Sequence, residues 1–122
     1  MILFDTNILI YIANGLINHA KFANVDIAHA SITRIETLGY HRLVVKEELI
    51  LRQIFQESFE LALSEEVILG SIRLRQRYNL SLGDAIIAAT ALTYQLQLWT
   101  ANIKDFQSVE GLNLYNPLEA AQ

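Results

Sequence analysis

Four carboxylates stand at comparable places along this 122-residue chain: Asp5, Glu36, Asp84 and Asp105. Asp5 ends the apolar run Ile2-Leu3-Phe4 and precedes Thr6-Asn7, residues suited to turns and caps. Glu36 follows a second apolar run that ends at Ala30, and Asp105 follows a third that ends at Thr100. Asp84 opens the most apolar helical stretch, three residues after Ser81. Each has an ordinary explanation in helix capping, because Thr33 to Glu36, Ser81 to Asp84 and Asn102 to Asp105 all place an acid at the third helical position. Together they imply more. In a parallel α/β sheet, helix starts that follow strands face one edge, and four acids there would raise one another's pKa values. A bound cation removes that cost. Oxygen donors without Cys or His at these junctions select a hard ion, Mg²⁺ or Mn²⁺, over zinc. The implied chemistry is hydrolysis of a phosphodiester by metal-activated water.

The elements that must position these acids follow from periodicity. Ile2 to Phe4 reads as a strand, and Ile8, Leu9, Tyr11 and Ile12 recur at helical spacing from Thr6 to Ala13. Leu16 to Asn24 reads as a short helix and Ile27 to Ala30 as a strand. Thr33 and Glu36 predict a capping box opening a helix from Arg34 to about Leu43. Lys46 to Ser58 is helical, Phe59 to Leu63 a short strand, and Ser64 caps a helix ending near Tyr78-Asn79. Ser81 caps the next helix, whose alanines allow close approach to a sheet. Leu96 to Thr100 is a strand, Asn102 to Phe106 one helical turn, and Leu112 to Tyr115 an edge strand. The alternation predicts one α/β domain over residues 1–122, with a short, mainly parallel sheet flanked by helices.

Composition narrows the function classes. At 52% hydrophobic and 18% charged the chain is not a disordered protein. No apolar stretch approaches the ~20 residues that span a bilayer, and the N-terminus lacks the features of a signal peptide. Cys is absent, which removes disulfides and thiolate metal sites. These features predict a cytoplasmic protein without membrane contact. The net charge of −4 argues against a broad basic surface for nucleic acid, although two divalent cations at an acidic site would offset it.

At this level the chain resembles PIN-domain ribonucleases, in particular the VapC toxins of prokaryotic toxin–antitoxin pairs. The matching pieces are FDTNILIY, SITRIETLG around Glu36, LSLGDAIIAATAL around Asp84 and LWTANIKDF around Asp105, in the family's order across nearly the whole chain. The resemblance implies a PIN-like three-layer sandwich, Mg²⁺- or Mn²⁺-dependent endonucleolytic cleavage of RNA, a homodimer, and inhibition by a small antitoxin protein. It places Asp5, Glu36, Asp84 and Asp105 as the catalytic and metal-holding acids. Thr100 and Asn102 match polar positions beside them, and Thr6 and Asn7 are supporting groups. Two departures stand out. Ala101 replaces a charged residue found in many relatives, and Asn102 stands where some carry a further acid.

Arg34 beside Glu36 and Lys104 beside Asp105 are the candidate phosphate contacts nearest the acids, while Arg73 and Arg77 share a helix face that could reach the same edge. His19, His29 and His41 lack a metal-ligand spacing, and Trp99 and Tyr94 read as core residues. Two other functions compete with the nuclease. One is a catalytically inactive PIN-like module that binds RNA or protein. The other is a phosphatase with Asp5 as nucleophile, against which stands Asn7 where such enzymes usually carry a second Asp.

Overall fold

The shortest path into this fold is its first strand, β1 (Ile2–Phe4), which lies at the middle of a five-stranded sheet. The computed structural model describes residues 1–119, so Ala120 to Gln122 of the expected domain lie outside the described residues. β1 leads into α1 (Thr6–Ala13), a 3-10 turn at His19–Phe22, β2 (Ile27–Ala30), α2 (Ser31–Leu38) and α3 (Val45–Glu57). Then come β3 (Phe59–Leu61), α4 (Glu65–Arg77), α5 (Leu82–Tyr94), β4 (Gln97–Trp99), α6 (Ile103–Phe106) and β5 (Leu114–Tyr115). Strand order is β3-β2-β1-β4-β5 and every pairing is parallel. This is the expected α/β sandwich.

Alternation along the strands distributes side chains between two cores. Phe4 faces Ile8, Leu9 and Ile12 of α1 and Leu51 and Ile54 of α3. Its ring stacks on Trp99 at 5.8 Å and meets the edge of Phe22 at 5.2 Å. Leu3, Ala28 and Leu98 face the other way, against Ile87, Ala88 and Ala91 of α5. Small residues on α5 permit that approach, and Gly70 of α4 lies directly over Ala89. All the strand residues just named except Trp99 are fully or almost fully buried.

The sheet has a topological consequence. From β1 the chain steps to β2 and β3 on one side, then crosses to β4 and β5 on the other. The connections therefore leave β1 and β4 in opposite directions, opening a crevice at the carboxyl ends of those two strands. Asp5 follows β1 and Thr100 follows β4, so both stand at that crevice.

Several boundaries differ from expectation. Leu16 to Asn24 forms only the 3-10 turn, entered through the Asn18 side chain, which accepts the Ala20 amide. Helix α2 starts at Ser31, directly after β2, and stops at Leu38 because Gly39 ends it rather than extending it to Leu43. Edge strands β3 and β5 are shorter than predicted, and Tyr94, expected in the core, is 43% exposed at the end of α5. Among the described residues no helix is long and apolar enough to cross a membrane.

Candidate active site

Asp5 is the buried centre of the carboxyl edge, only 4% exposed. Both its oxygens are held. Oδ1 accepts the Thr6 amide at 2.8 Å, capping α1, and Oδ2 accepts the Thr100 hydroxyl at 2.8 Å across the crevice. The Asp5 amide donates to the Trp99 carbonyl at 2.9 Å, and the Asn102 amide donates to Thr100 Oγ1 at 3.0 Å. Burial pushes the Asp5 carboxyl up to about 6, against the opposing pull of the Thr100 and Thr6 hydrogen bonds and with the charges of Asp84 and Glu36 adding to the rise.

Glu36 reaches the same place from α2. The expected capping box does not form, because α2 begins earlier and its first residue follows Ala30, which has no capping side chain. Thr33 instead turns inward and is fully buried, its hydroxyl 3.0 Å from that of Thr6. The Thr6 hydroxyl donates to Glu36 Oε1 at 2.7 Å. The other carboxylate oxygen lies over the start of α5, so close that a Cβ on Gly83 would come within 2.7 Å of Oε2. Glu36 thus spans from α2 to the turn that carries Asp84.

Asp84 is half-buried in the first turn of α5, where its amide donates to the Ser81 hydroxyl at 3.2 Å, as the spacing predicts. Burial raises its pKa, the Ser81 hydroxyl lowers it, and the charges of Asp105 and Glu36 raise it again. Asp105 is exposed on α6, its amide bonded to the Asn102 carbonyl at 3.0 Å. Asn102 caps α6 by position only, without the side-chain hydrogen bond expected of it. All four acids are therefore near enough to feel one another: Asp5 with Asp84 and Glu36, and Asp84 with Asp105 and Glu36.

Among the described residues no three His, Cys, Asp or Glu side chains are arranged to hold a metal ion by themselves. The donor set nonetheless fits one kind of ion. Oxygen-only, mutually repelling carboxylates suit a hard divalent cation that keeps several waters and takes substrate phosphate as a ligand. They do not suit zinc or an all-protein cage.

The basic candidates are placed differently. Arg34 and Glu36 are two residues apart on α2, so their side chains leave on nearly opposite faces. Arg34 turns to edge strand β3, where its guanidinium engages both oxygens of Glu60, the Nη2 contact being 2.8 Å. Glu60 also receives His29 Nε2 at 3.0 Å, and the Arg34 guanidinium holds the Glu60 carboxyl below its ordinary range. Arg77 pairs with Glu110 at 3.1 Å. Gly70 and Leu74 of α4 lie beside Ala89 and Leu92 of α5, so the two helices run in the same direction. Arg73 and Arg77 accordingly approach the far end of α5 from Asp84, not the acidic edge that their shared helix face could have reached. Lys104 is exposed next to Asp105 and Asn7 is half-buried on α1. Thr33 and Gly83 also belong to the site, through the Thr6 hydroxyl and the Glu36 carboxylate. The Thr-x-x-Glu spacing held the signal for Thr33 but read as a cap.

A PIN domain family model matches residues 2–112, and the chain belongs to the PIN domain family. A toxin–antitoxin complex from Klebsiella pneumoniae contains a chain 35% identical to this one, matched over 96% of this chain and 98% of that one with a TM-score of 0.77. VapBC2 from Rickettsia felis, solved with a DNA fragment from its promoter, is 24% identical over 95% and 98% of the two chains, with a TM-score of 0.81, and supports the fold alone. Ribonuclease VapC1 from Rickettsia felis is 42% identical over 40 residues, 33% of this chain and 30% of that protein.

Proposed function

We propose that this chain is a Mg²⁺- or Mn²⁺-dependent endoribonuclease, the toxin of a toxin–antitoxin pair, acting in the cytoplasm as a homodimer until a small antitoxin binds it. The observation that carries this reading is geometric: Asp5, buried with both oxygens held, and Glu36, tied to the same point through the Thr6 hydroxyl, meet at the crevice where the sheet changes direction, and burial there pushes the Asp5 carboxyl up to about 6. Asp5, Glu36, Asp84 and Asp105 are the residues that would hold the ion. Bound there, it would supply Lewis-acid polarisation of a phosphate oxygen and a water acidic enough to react near neutral pH.

The chain's own groups prepare that edge. The Thr6 amide and the Thr100 hydroxyl fix both oxygens of Asp5, and the Thr6 hydroxyl fixes Glu36. Asp84 and Asp105 line the solvent side, where an RNA backbone enters, and Lys104 lies beside them to meet a phosphate. In-line attack of water at phosphorus with loss of the 3′ oxygen leaves a 5′-phosphate and a 3′-hydroxyl. Ile35 on α2 and Val45 and Leu49 on α3 are exposed apolar side chains available to a second copy or an antitoxin. The likeness to chains of toxin–antitoxin complexes supports the partner assignment.

Purified protein incubated with mixed structured RNAs in Mg²⁺, Mn²⁺ or EDTA tests the reading, with Asp84→Ala alongside. Discrete cuts that require metal and fall at least about a hundredfold in Asp84→Ala are expected. A folded protein that neither cuts RNA nor binds Mn²⁺ would return the acids to capping and leave an inactive binding module.

A further inference from the structure

The Thr6 hydroxyl has a single proton, and its 2.7 Å bond to Glu36 Oε1 uses it. The Thr33 hydroxyl, 3.0 Å from Thr6 Oγ1, must therefore be the donor in that pair. The reverse arrangement would leave the Thr33 proton without an acceptor, since Thr6 Oγ1 is its one side-chain partner among the described residues, and would leave the Thr6–Glu36 contact without a proton. The direction is fixed: Thr33 donates to Thr6, and Thr6 donates to Glu36. Thr33 is fully buried and Thr6 is 9% exposed, so water does not substitute for either hydroxyl. The turn holding Thr33 is pinned in its own right by Thr37 Oγ1, which donates to the Thr33 carbonyl at 2.8 Å.

We propose that Thr33 is a positioning residue for the active site, acting on Glu36 through the Thr6 hydroxyl and thereby setting how well the acidic edge takes up its cation. The proposal rests on the nuclease reading of that edge. Hydrogen bonds in series polarise one another, so the buried Thr33 donor strengthens the Thr6 bond to the carboxylate. It also prevents Thr6 from rotating its proton away. With Glu36 exposed and otherwise free to move, this relay and the clearance above Gly83 are what hold its two oxygens in place. Thr33 touches no substrate; its effect reaches the chemistry only through Glu36.

Thr33→Val keeps the shape and removes the donor, Thr33→Ser keeps the donor and removes a methyl, and Thr6→Val removes the intermediate link. The three, with the double variant Thr6→Val/Thr33→Val, are compared by Mn²⁺ calorimetry, by kcat and KM on a cleaved RNA, and by thermal melting in EDTA. Thr33→Val is expected to weaken Mn²⁺ binding about tenfold and to lower kcat more than it changes KM, with Thr33→Ser close to wild type. The double variant should be no worse than Thr6→Val alone, because both act along one line. Thr33→Val that melts lower yet binds Mn²⁺ like wild type would overturn the relay, as would losses that add in the double variant. Should Thr33→Val fail to fold, Thr33→Ser binding Mn²⁺ as weakly as Thr6→Val would overturn it equally. Wild-type protein that takes up no Mn²⁺ overturns the nuclease reading itself, a result distinct from wild type and Thr33→Val binding alike.

Discussion

Asp5→Asn offers a direct test of how this site stores electrostatic cost. The carboxyl rises from 3.8 to about 6 on folding, chiefly through burial. Between those two values the native state binds more protons than the unfolded chain, so stability falls as pH rises through that window. Above it the ionised Asp5 costs the metal-free protein about 3 kcal/mol. Asparagine has nearly the same shape and no charge. Its amide nitrogen would face Thr100 Oγ1, which must reverse its proton to accept it, at a cost of about 1 kcal/mol. Metal-free Asp5→Asn should therefore be more stable than wild type by about 2 kcal/mol at pH 7.5, or about 8 °C in melting temperature. The difference should shrink as pH falls and reverse between about pH 4 and 5, where wild-type Asp5 is already protonated.

Urea unfolding of both proteins in EDTA from pH 4 to 7.5 measures this, and groups common to both cancel in the difference. Adding Mg²⁺ should raise the wild-type midpoint and leave Asp5→Asn unmoved, since only the former has the full set of acids. A stability difference that stays constant across the pH range would refute the reasoning, because it would mean that Asp5 ionises like an ordinary surface carboxylate.

Gly83→Ala should separate stability from activity. Alanine favours the helix by up to about 1 kcal/mol, so the melting temperature holds or rises, while its Cβ displaces the Glu36 carboxylate and slows RNA cleavage about tenfold; wild-type kcat in this variant would refute the close approach. Glu60→Gln should lower the melting temperature at neutral pH. The Arg34 guanidinium depresses the Glu60 pKa below 4.5, so that stabilisation is present above 4.5 and is lost as pH falls through the depressed value. Melts from pH 3 to 7 should show the Glu60→Gln deficit closing toward the acid end, and a deficit independent of pH would show that the carboxylate's charge is not what matters.

The parts of this fold that sequence made legible were those with a single strong periodicity. Ile2 to Phe4 and the alanine-lined helix after Ser81 have one reading each, and the order of strands and helices left a parallel sheet as the economical solution. The acids were legible because they recur at strand-to-helix junctions. Thr33 was not, for a physical reason. A threonine three residues before a glutamate fits both a capping box and a buried hydroxyl pointing across to another helix, and only the tertiary approach of α1 decides between them. Arg34 shows the same limit from the other side. Its nearness to Glu36 in sequence suggested a shared site, whereas helical geometry sends the two side chains apart and Glu60, distant in sequence, captures the guanidinium. Gly83 bears no signal at all without the neighbour that comes to lie over it.

The choice of hydroxyls over cations around these acids has a consequence of its own. Among the described residues the ion pairs join Arg34 to Glu60, Arg52 to Glu48 and Arg77 to Glu110, and none involves Asp5, Glu36, Asp84 or Asp105. A lysine or arginine placed against Asp5 would orient it as well as Thr100 does, but would also neutralise it and depress its pKa. Threonine hydroxyls fix direction while leaving the negative charge uncompensated. The repulsion that Asp5 and Asp84 feel from their acidic neighbours is then left for protonation or a cation from solution to relieve, and on the proposed nuclease reading uptake of that cation would raise the stability of this sheet edge.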